Sequence, residues 1–208
     1  MKKIMSLMLS AAMVVSMASF AMAADYSSAT GGSAGSSGFS GTPAVVSSSA
    51  VTQAATSGGS VTITGNAVIT QNVVQSLAAA TQPVTFTAPN YTAVINPQTI
   101  TSAQNISLGA LPANPAIESV FNQFFSNNFA SVQLAQQGAF GATVQFTITP
   151  TNLSTLNTAN LQFFSYDPVT NTYARVTTTY TVNANGSISF STTLGNTIII
   201  TDGPITAR

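Results

Sequence analysis

The sequence predicts an all-β protein, a β-sandwich with one or two short helices, on three observations. From about position 60 onward, β-branched and aromatic residues alternate with Thr, Gln and Ser over short runs. Turn-forming Asn, Asp, Gly and Pro separate these runs at the spacing of a sandwich. The chain has no cysteine, so no disulfide staples the fold and stability has to come from an apolar core, for which about 150 residues suffice as one domain.

Taken in order, Lys2 and Lys3 give a positive start, residues 4–20 are apolar, and Ala21-Met22-Ala23 is a small-x-small site. This pattern is that of an export signal over 1–23, cleaved between Ala23 and Ala24. Ser6, Ser10, Ser16 and Ser19 interrupt the apolar run, which falls short of the roughly 20 strongly apolar residues of a spanning helix. No later segment is long and apolar enough to span a bilayer, so a secreted chain is expected, without membrane insertion after leader cleavage. Residues 24–59 are dominated by Ser, Gly, Ala and Thr and predict a flexible, disordered tether. Phe39, Val45 and Val46 are the sizeable apolar side chains in its centre, able to dock as a short strand.

A folded domain over 60–203 and a short tail over 204–208 follow. Val61 to Thr64, Val84 to Thr87, Val144 to Ile148, Leu161 to Tyr166, Tyr173 to Tyr180, Ser187 to Phe190 and Thr197 to Ile200 predict strands. Asn183-Ala184-Asn185-Gly186 marks a hairpin reversal, and Tyr166-Asp167-Pro168 leads out of a strand. Two segments have helical spacing instead. Ile69 to Ala80 carries Val73, Val74 and Leu77 on one stripe; Ile117 to Phe129 carries Val120, Phe121, Phe124 and Phe125. Both are expected to cap an open end of the sandwich, with the Phe stripe packed as core or lid.

The order of these segments resembles an immunoglobulin-like module of secreted and surface proteins from clostridial-type Gram-positive bacteria. The run from Ile69 to Leu77, followed by Val84-Thr85-Phe86 and Tyr91 to Asn96, is similar to the module's opening. Gly141 to Ile148 and Leu161 to Tyr173 look like its unit of aromatic strand, Asp-Pro turn and next strand, and Val182 to Phe190 looks like its closing hairpin. Leu194-Gly195-Asn196 stands where such modules often carry a Ser-Asp-Tyr-like step. The resemblance spans 61–202 and implies an immunoglobulin-like β-sandwich serving as a spacer, an adhesive unit or a companion of carbohydrate-active domains.

Charge narrows the function. Lys2 and Lys3 leave with the leader, after which Arg175 and Arg208 stand against Asp25, Glu118, Asp167 and Asp202, two cations against four acids. Such a surface has little to offer a nucleic-acid backbone or an anionic membrane. It also lacks the repulsion that keeps copies apart, which favours self-association.

Without His or Cys the chain cannot build a Ser-His-Asp triad, a Cys-His pair, a thiolate zinc site or a histidine-ligated metal centre. Without the leader lysines a Schiff base and a P-loop are excluded too. Paired carboxylates from Glu118, Asp167 and Asp202 remain as a remote hydrolase option, needing a separation of about 5 to 10 Å. Asp167 and Asp202 suit turn positions, and Glu118 a helix start. Tyr91, Tyr166, Tyr173 and Tyr180 are the candidates for stacking on sugar rings, although period-2 geometry over one strand would put Tyr173 and Tyr180 on opposite faces. The expectation is a non-catalytic extracellular structural or adhesive protein of the bacterial surface or matrix, acting through a neutral sandwich surface and strand edges, without a cofactor. It would bind itself or other cell-surface and matrix components, with polysaccharide as the alternative ligand.

Overall fold

The computed structural model describes residues 39, 42–112, 118–119, 121–122, 128–167, 170 and 172–203. The export signal with Ala23 and Ala24, the first part of the expected tether and the 204–208 tail lie outside the described residues. Two sheets stack on a shared core as a β-sandwich. The first sheet comprises β1 (Ala44–Val45), β3 (Asn66–Ile69), β6 (Ile106–Pro112), β7 (Phe129–Leu134), β13 (Thr197–Thr201), β9 (Gln162–Asp167) and β10 (Thr172–Val176), in that spatial order. The second runs β11 (Tyr180–Val182), β12 (Ile188–Leu194), β8 (Ala139–Ile148), β5 (Tyr91–Ile95), β4 (Val84–Thr87) and β2 (Ser60–Thr62).

Alternation explains the layers. In β8, Phe140, Ala142, Val144, Phe146 and Ile148 point inward, while Gln145 and Thr147 point away. Phe146 lies at the middle of the core, with ring centroids 6.2 Å from Tyr91, 5.8 Å from Phe140 and 6.2 Å from Phe190. The expected hairpin at Asn183 to Gly186 joins β11 to β12, closed by Asn183 N–H donating to the Ser187 carbonyl (2.8 Å), with Gly186 at φ 80°.

The expected tether requires a correction over 42–59. Val45 lies in β1, and helix α1 (Ser48–Ser57) buries Val51, Ala54 and Ala55 in the core. A second helix, α2 (Gln71–Ala78), buries Val73, Val74 and Leu77 on the stripe that the sequence predicts. These elements form a gapless internal repeat with a period of twenty-three residues, the distance from Ala44 to Ala67 and from Ser48 to Gln71. Each unit runs strand, helix, strand: Ala44-Val45-Val46 matches Ala67-Val68-Ile69, Val51 matches Val74, Ala54 matches Leu77, and Val61-Thr62-Ile63-Thr64 matches Val84-Thr85-Phe86-Thr87. Five matched positions are buried in both units: Val46 and Ile69, Val51 and Val74, Ala54 and Leu77, Val61 and Val84, Ile63 and Phe86. The units stack in parallel, β1 on β3 and β2 on β4, and both helices cross from the first sheet to the second. Composition hides the first unit, because Ser and Ala occupy the places of bulkier residues in the second. Gly58 ends α1 in the left-handed conformation at φ 68°, and Gly59 N–H closes the turn on the Ala54 carbonyl (2.9 Å).

Two further corrections concern strand continuity. The run from Tyr173 to Tyr180 is two strands in different sheets, since β10 ends at Val176 and β11 starts at Tyr180 on the opposite layer. Period-2 reasoning therefore does not relate Tyr173 to Tyr180. The helix expected to reach Phe129 stops earlier, because Phe129 begins β7. Glu118, Ser119, Phe121 and Asn122 are helical; Val120, Phe124 and Phe125 lie outside the described residues. Phe121 does not cap an end of the sandwich. It lies on the outer face of the first sheet, buried with Phe129 and Ile199 and packed by Phe164, Tyr166 and Tyr173. Phe39 covers the same sheet at Gly109 of β6, where a Cβ would come within 2.7 Å of its ring. Coverage of both faces explains why Ile198, Ile199 and Ile200 are consecutively buried.

Candidate functional site

General acid-base chemistry would need two carboxylates together. Asp167 ends β9 and Asp202 follows β13, an antiparallel pair in which Tyr166 opposes Thr197 and Gln162 opposes Thr201. The two acids thus stand at opposite ends of that ladder. Six residues of strand separate Asp202 from Asn196, the residue level with Asp167, which is about 20 Å and too far for a glycosidase pair. Each carboxylate also has a local task. Asp167 Oδ2 accepts from Thr170 Oγ1 (2.8 Å), Asp202 Oδ2 from the Asn157 N–H (2.9 Å), and Glu118 Oε1 from Ser131 Oγ (3.2 Å). Among the described residues no group of three or more His, Cys, Asp or Glu could hold a metal ion, and no helix is long and apolar enough to cross a membrane.

The four tyrosines are not one platform. Tyr91 is 4% exposed and donates its hydroxyl to the Gly65 carbonyl (3.3 Å), so it has no face to offer a sugar, correcting its candidacy. Tyr180 is engaged structurally: its hydroxyl accepts from the Leu161 N–H (2.9 Å), donates to the Thr158 carbonyl (3.2 Å), and its ring lies 5.3 Å from Phe163. Tyr166 and Tyr173 face each other across β9 and β10 at 4.9 Å, and Phe121 meets Tyr166 edge-on at 5.0 Å. They are half-buried wall rather than a flat aromatic surface.

Burial raises the hydroxyl pKa of Tyr91; it also raises those of Tyr173 and Tyr166, with a smaller contribution at Tyr173 from Tyr166 and at Tyr166 from Asp167. Because the folded-state values lie above the unfolded ones, this stabilisation is complete below the ordinary tyrosine pKa of about 10 and is lost as pH rises above it. Denaturant melts should therefore lose stability above about pH 10, in step with delayed tyrosinate absorbance. Ionisation of all tyrosines at their ordinary pKa, with the fold intact, would contradict this.

The side of the sandwich where β10 and β11 end is built differently from the side closed by the helices. At the helical side the outer strands are β1, two residues long, and β2, three residues long, and α1 packs against β2. At the other side β10 runs for five residues, with Thr172, Ala174 and Arg175 exposed and Tyr173 half-buried. The crossing from β10 to β11 leaves a cleft of about 280 Å³ lined by Thr143, Arg175, Val176, Thr177 and Ser191 to Leu194. Three-residue β11 covers β12 only as far as Phe190, and the Thr178 hydroxyl takes the next place by accepting from the Ser191 N–H (2.9 Å).

The sequence predicts strand edges as contact surfaces, but not that β10 is such an edge or that it carries Arg175, the one basic residue among those described. The signal was present as a single charge between Tyr173 and the Thr177-Thr178-Thr179 run. Comparison with protein-family models, with curated proteins and with solved structures returns no match.

Proposed function

We propose that this protein is a non-catalytic structural or adhesive component of the bacterial surface or extracellular matrix, an immunoglobulin-like sandwich exported by the leader at 1–23. The observation that carries this reading is the edge of β10: five residues long, largely exposed, without Pro, and with Arg175 as its single charge, so that little blunts it. Such a strand is a template for strand addition, in which main-chain hydrogen bonds supply affinity. The near absence of charge adds to this, since little on the surface opposes close approach. The immunoglobulin-like assignment is supported by the mainly antiparallel layers and by the chain crossing between sheets at β7 to β8, β8 to β9, β10 to β11 and β12 to β13.

Fractionation of a native culture tests the reading. The mature protein is expected in the washed wall pellet or insoluble matrix, in assemblies larger than one chain under non-denaturing conditions. Recovery as a monomer in the clarified supernatant would overturn it and direct attention to a polysaccharide screen.

A further inference from the structure

Resting on that surface role, we propose that the partner at β10 is a second copy of the same strand, paired antiparallel about a two-fold axis at Ala174. The direction of the backbone groups is the first reason. The Leu134 N–H donates to the Asn196 carbonyl (2.9 Å), which sets the phase of the ladder. Counting across β13 and β9 by alternation, Thr197, Ile199 and Thr201 bond toward β9, while Phe163, Ser165 and Asp167 bond toward β10. Their partners in β10 are Val176, Ala174 and Thr172. Tyr173 and Arg175 therefore direct N–H and C=O away from β9, at the margin of the sheet.

Register is the second reason. A two-fold axis perpendicular to the sheet keeps the outer face continuous and allows centres at residue 173, 174 or 175. A centre at Arg175 opposes two guanidinium groups, and a centre at Tyr173 leaves part of the strand unmatched. A centre at Ala174 overlaps all five residues and makes Tyr173 and the second copy's Arg175 a hydrogen-bonded pair on the same face. There the guanidinium comes beside the Tyr173 ring, which packs on Tyr166 at 4.9 Å, and the two Arg175 charges are kept apart. The contact is isologous and closes as a dimer. β1, β2 and β11 are too short to offer the same overlap.

The absence of cysteine makes a register-specific test available. Across the axis the two Ala174 residues form a non-hydrogen-bonded pair with Cα atoms about 4.5 Å apart, inside the span a disulfide requires. Ala174→Cys is expected to give a covalent dimer under mild oxidation at concentrations where Thr172→Cys, opposite Val176 of the other copy, stays monomeric. Arg175→Pro removes an outward N–H while leaving the β9 ladder intact, and sedimentation should then show loss of the dimer with unchanged circular dichroism. Arg175→Glu, which leaves the backbone alone and puts a carboxylate against the Tyr173 ring, should weaken self-association and serves if the proline variant misfolds. Equal cross-linking of both cysteine variants, or wild-type protein that sediments as a monomer over the whole concentration series, overturns the proposal. Retention of monomeric protein in the wall fraction would overturn this interface while leaving the surface role standing.

Discussion

Phe146→Ala is expected to lower stability by about 3–5 kcal/mol, the range for truncating a buried phenylalanine, and to unfold much of the population at moderate urea. Phe146 is fully buried toward the C-terminal end of β8, the longest strand described, where β8 pairs with β5 on one side and β12 on the other. Its ring meets Tyr91, Phe140 and Phe190, so truncation opens a void walled by rings that belong to three further backbone positions. Those neighbours are held by the ladders and collapse poorly into the gap. Cavity cost therefore adds to the lost transfer energy. Equilibrium urea unfolding checks this through the midpoint; a variant within about 1 kcal/mol of wild type would mean that the two layers relax toward each other more readily than interlocked sheets do.

The strands around Phe146 were legible for the reason that makes the substitution costly. Alternation in Val144 to Ile148 and Ser187 to Phe190 is strict because one face is core and the other solvent. Legibility failed where that condition failed. β7 is buried on both faces, so Phe129 to Leu134 has no polar face toward water, and a preceding Phe-rich segment made Phe129 look helical. α1 was hidden by composition: its buried face is Val51, Ala54 and Ala55, small residues that chain entropy arguments assign to a tether. Comparison of 43–64 with 66–87 at a spacing of twenty-three would have exposed it, because the second unit keeps the pattern with larger side chains. At the candidate site, the tyrosines were visible as residues but their contacts depend on the switch from β10 to β11. No local pattern announces that switch, since Thr177, Thr178 and Thr179 continue the β propensity across it.

The same dependence on nonlocal contacts makes Gly195 the other position of large effect. Gly195→Ala is expected to cost about 3 kcal/mol or more by combined strain and lost hydrogen bonds, lowering the melting temperature by roughly 6–12 °C for a chain of this size. Gly195 sits between β12 and β13, pressed against the β7–β8 turn, and an added Cβ would land on the Gln136 carbonyl. That carbonyl accepts from the Asn196 N–H (2.7 Å), the Gly195 N–H donates to the Gly138 carbonyl (2.7 Å), and Ser165 Oγ donates to the Gly195 carbonyl (3.0 Å). Asn196 takes the left-handed conformation at φ 67° and accepts from the Gly138 N–H at Oδ1 (3.1 Å). Gln136 is 5% exposed and extends the junction to β6 by accepting from the Ser107 N–H (2.8 Å). Displacing Gln136 to make room for a methyl group thus disturbs contacts to β6, β8, β9 and β13 together. Gly65→Ala is the matched control, because an added Cβ there meets nothing within 4 Å; it should be neutral or slightly stabilising through the unfolded chain. Thermal melts of the two variants side by side separate the loss of a tight junction from a general intolerance of glycine replacement, and equal melting temperatures would show that the turn can shift without loss.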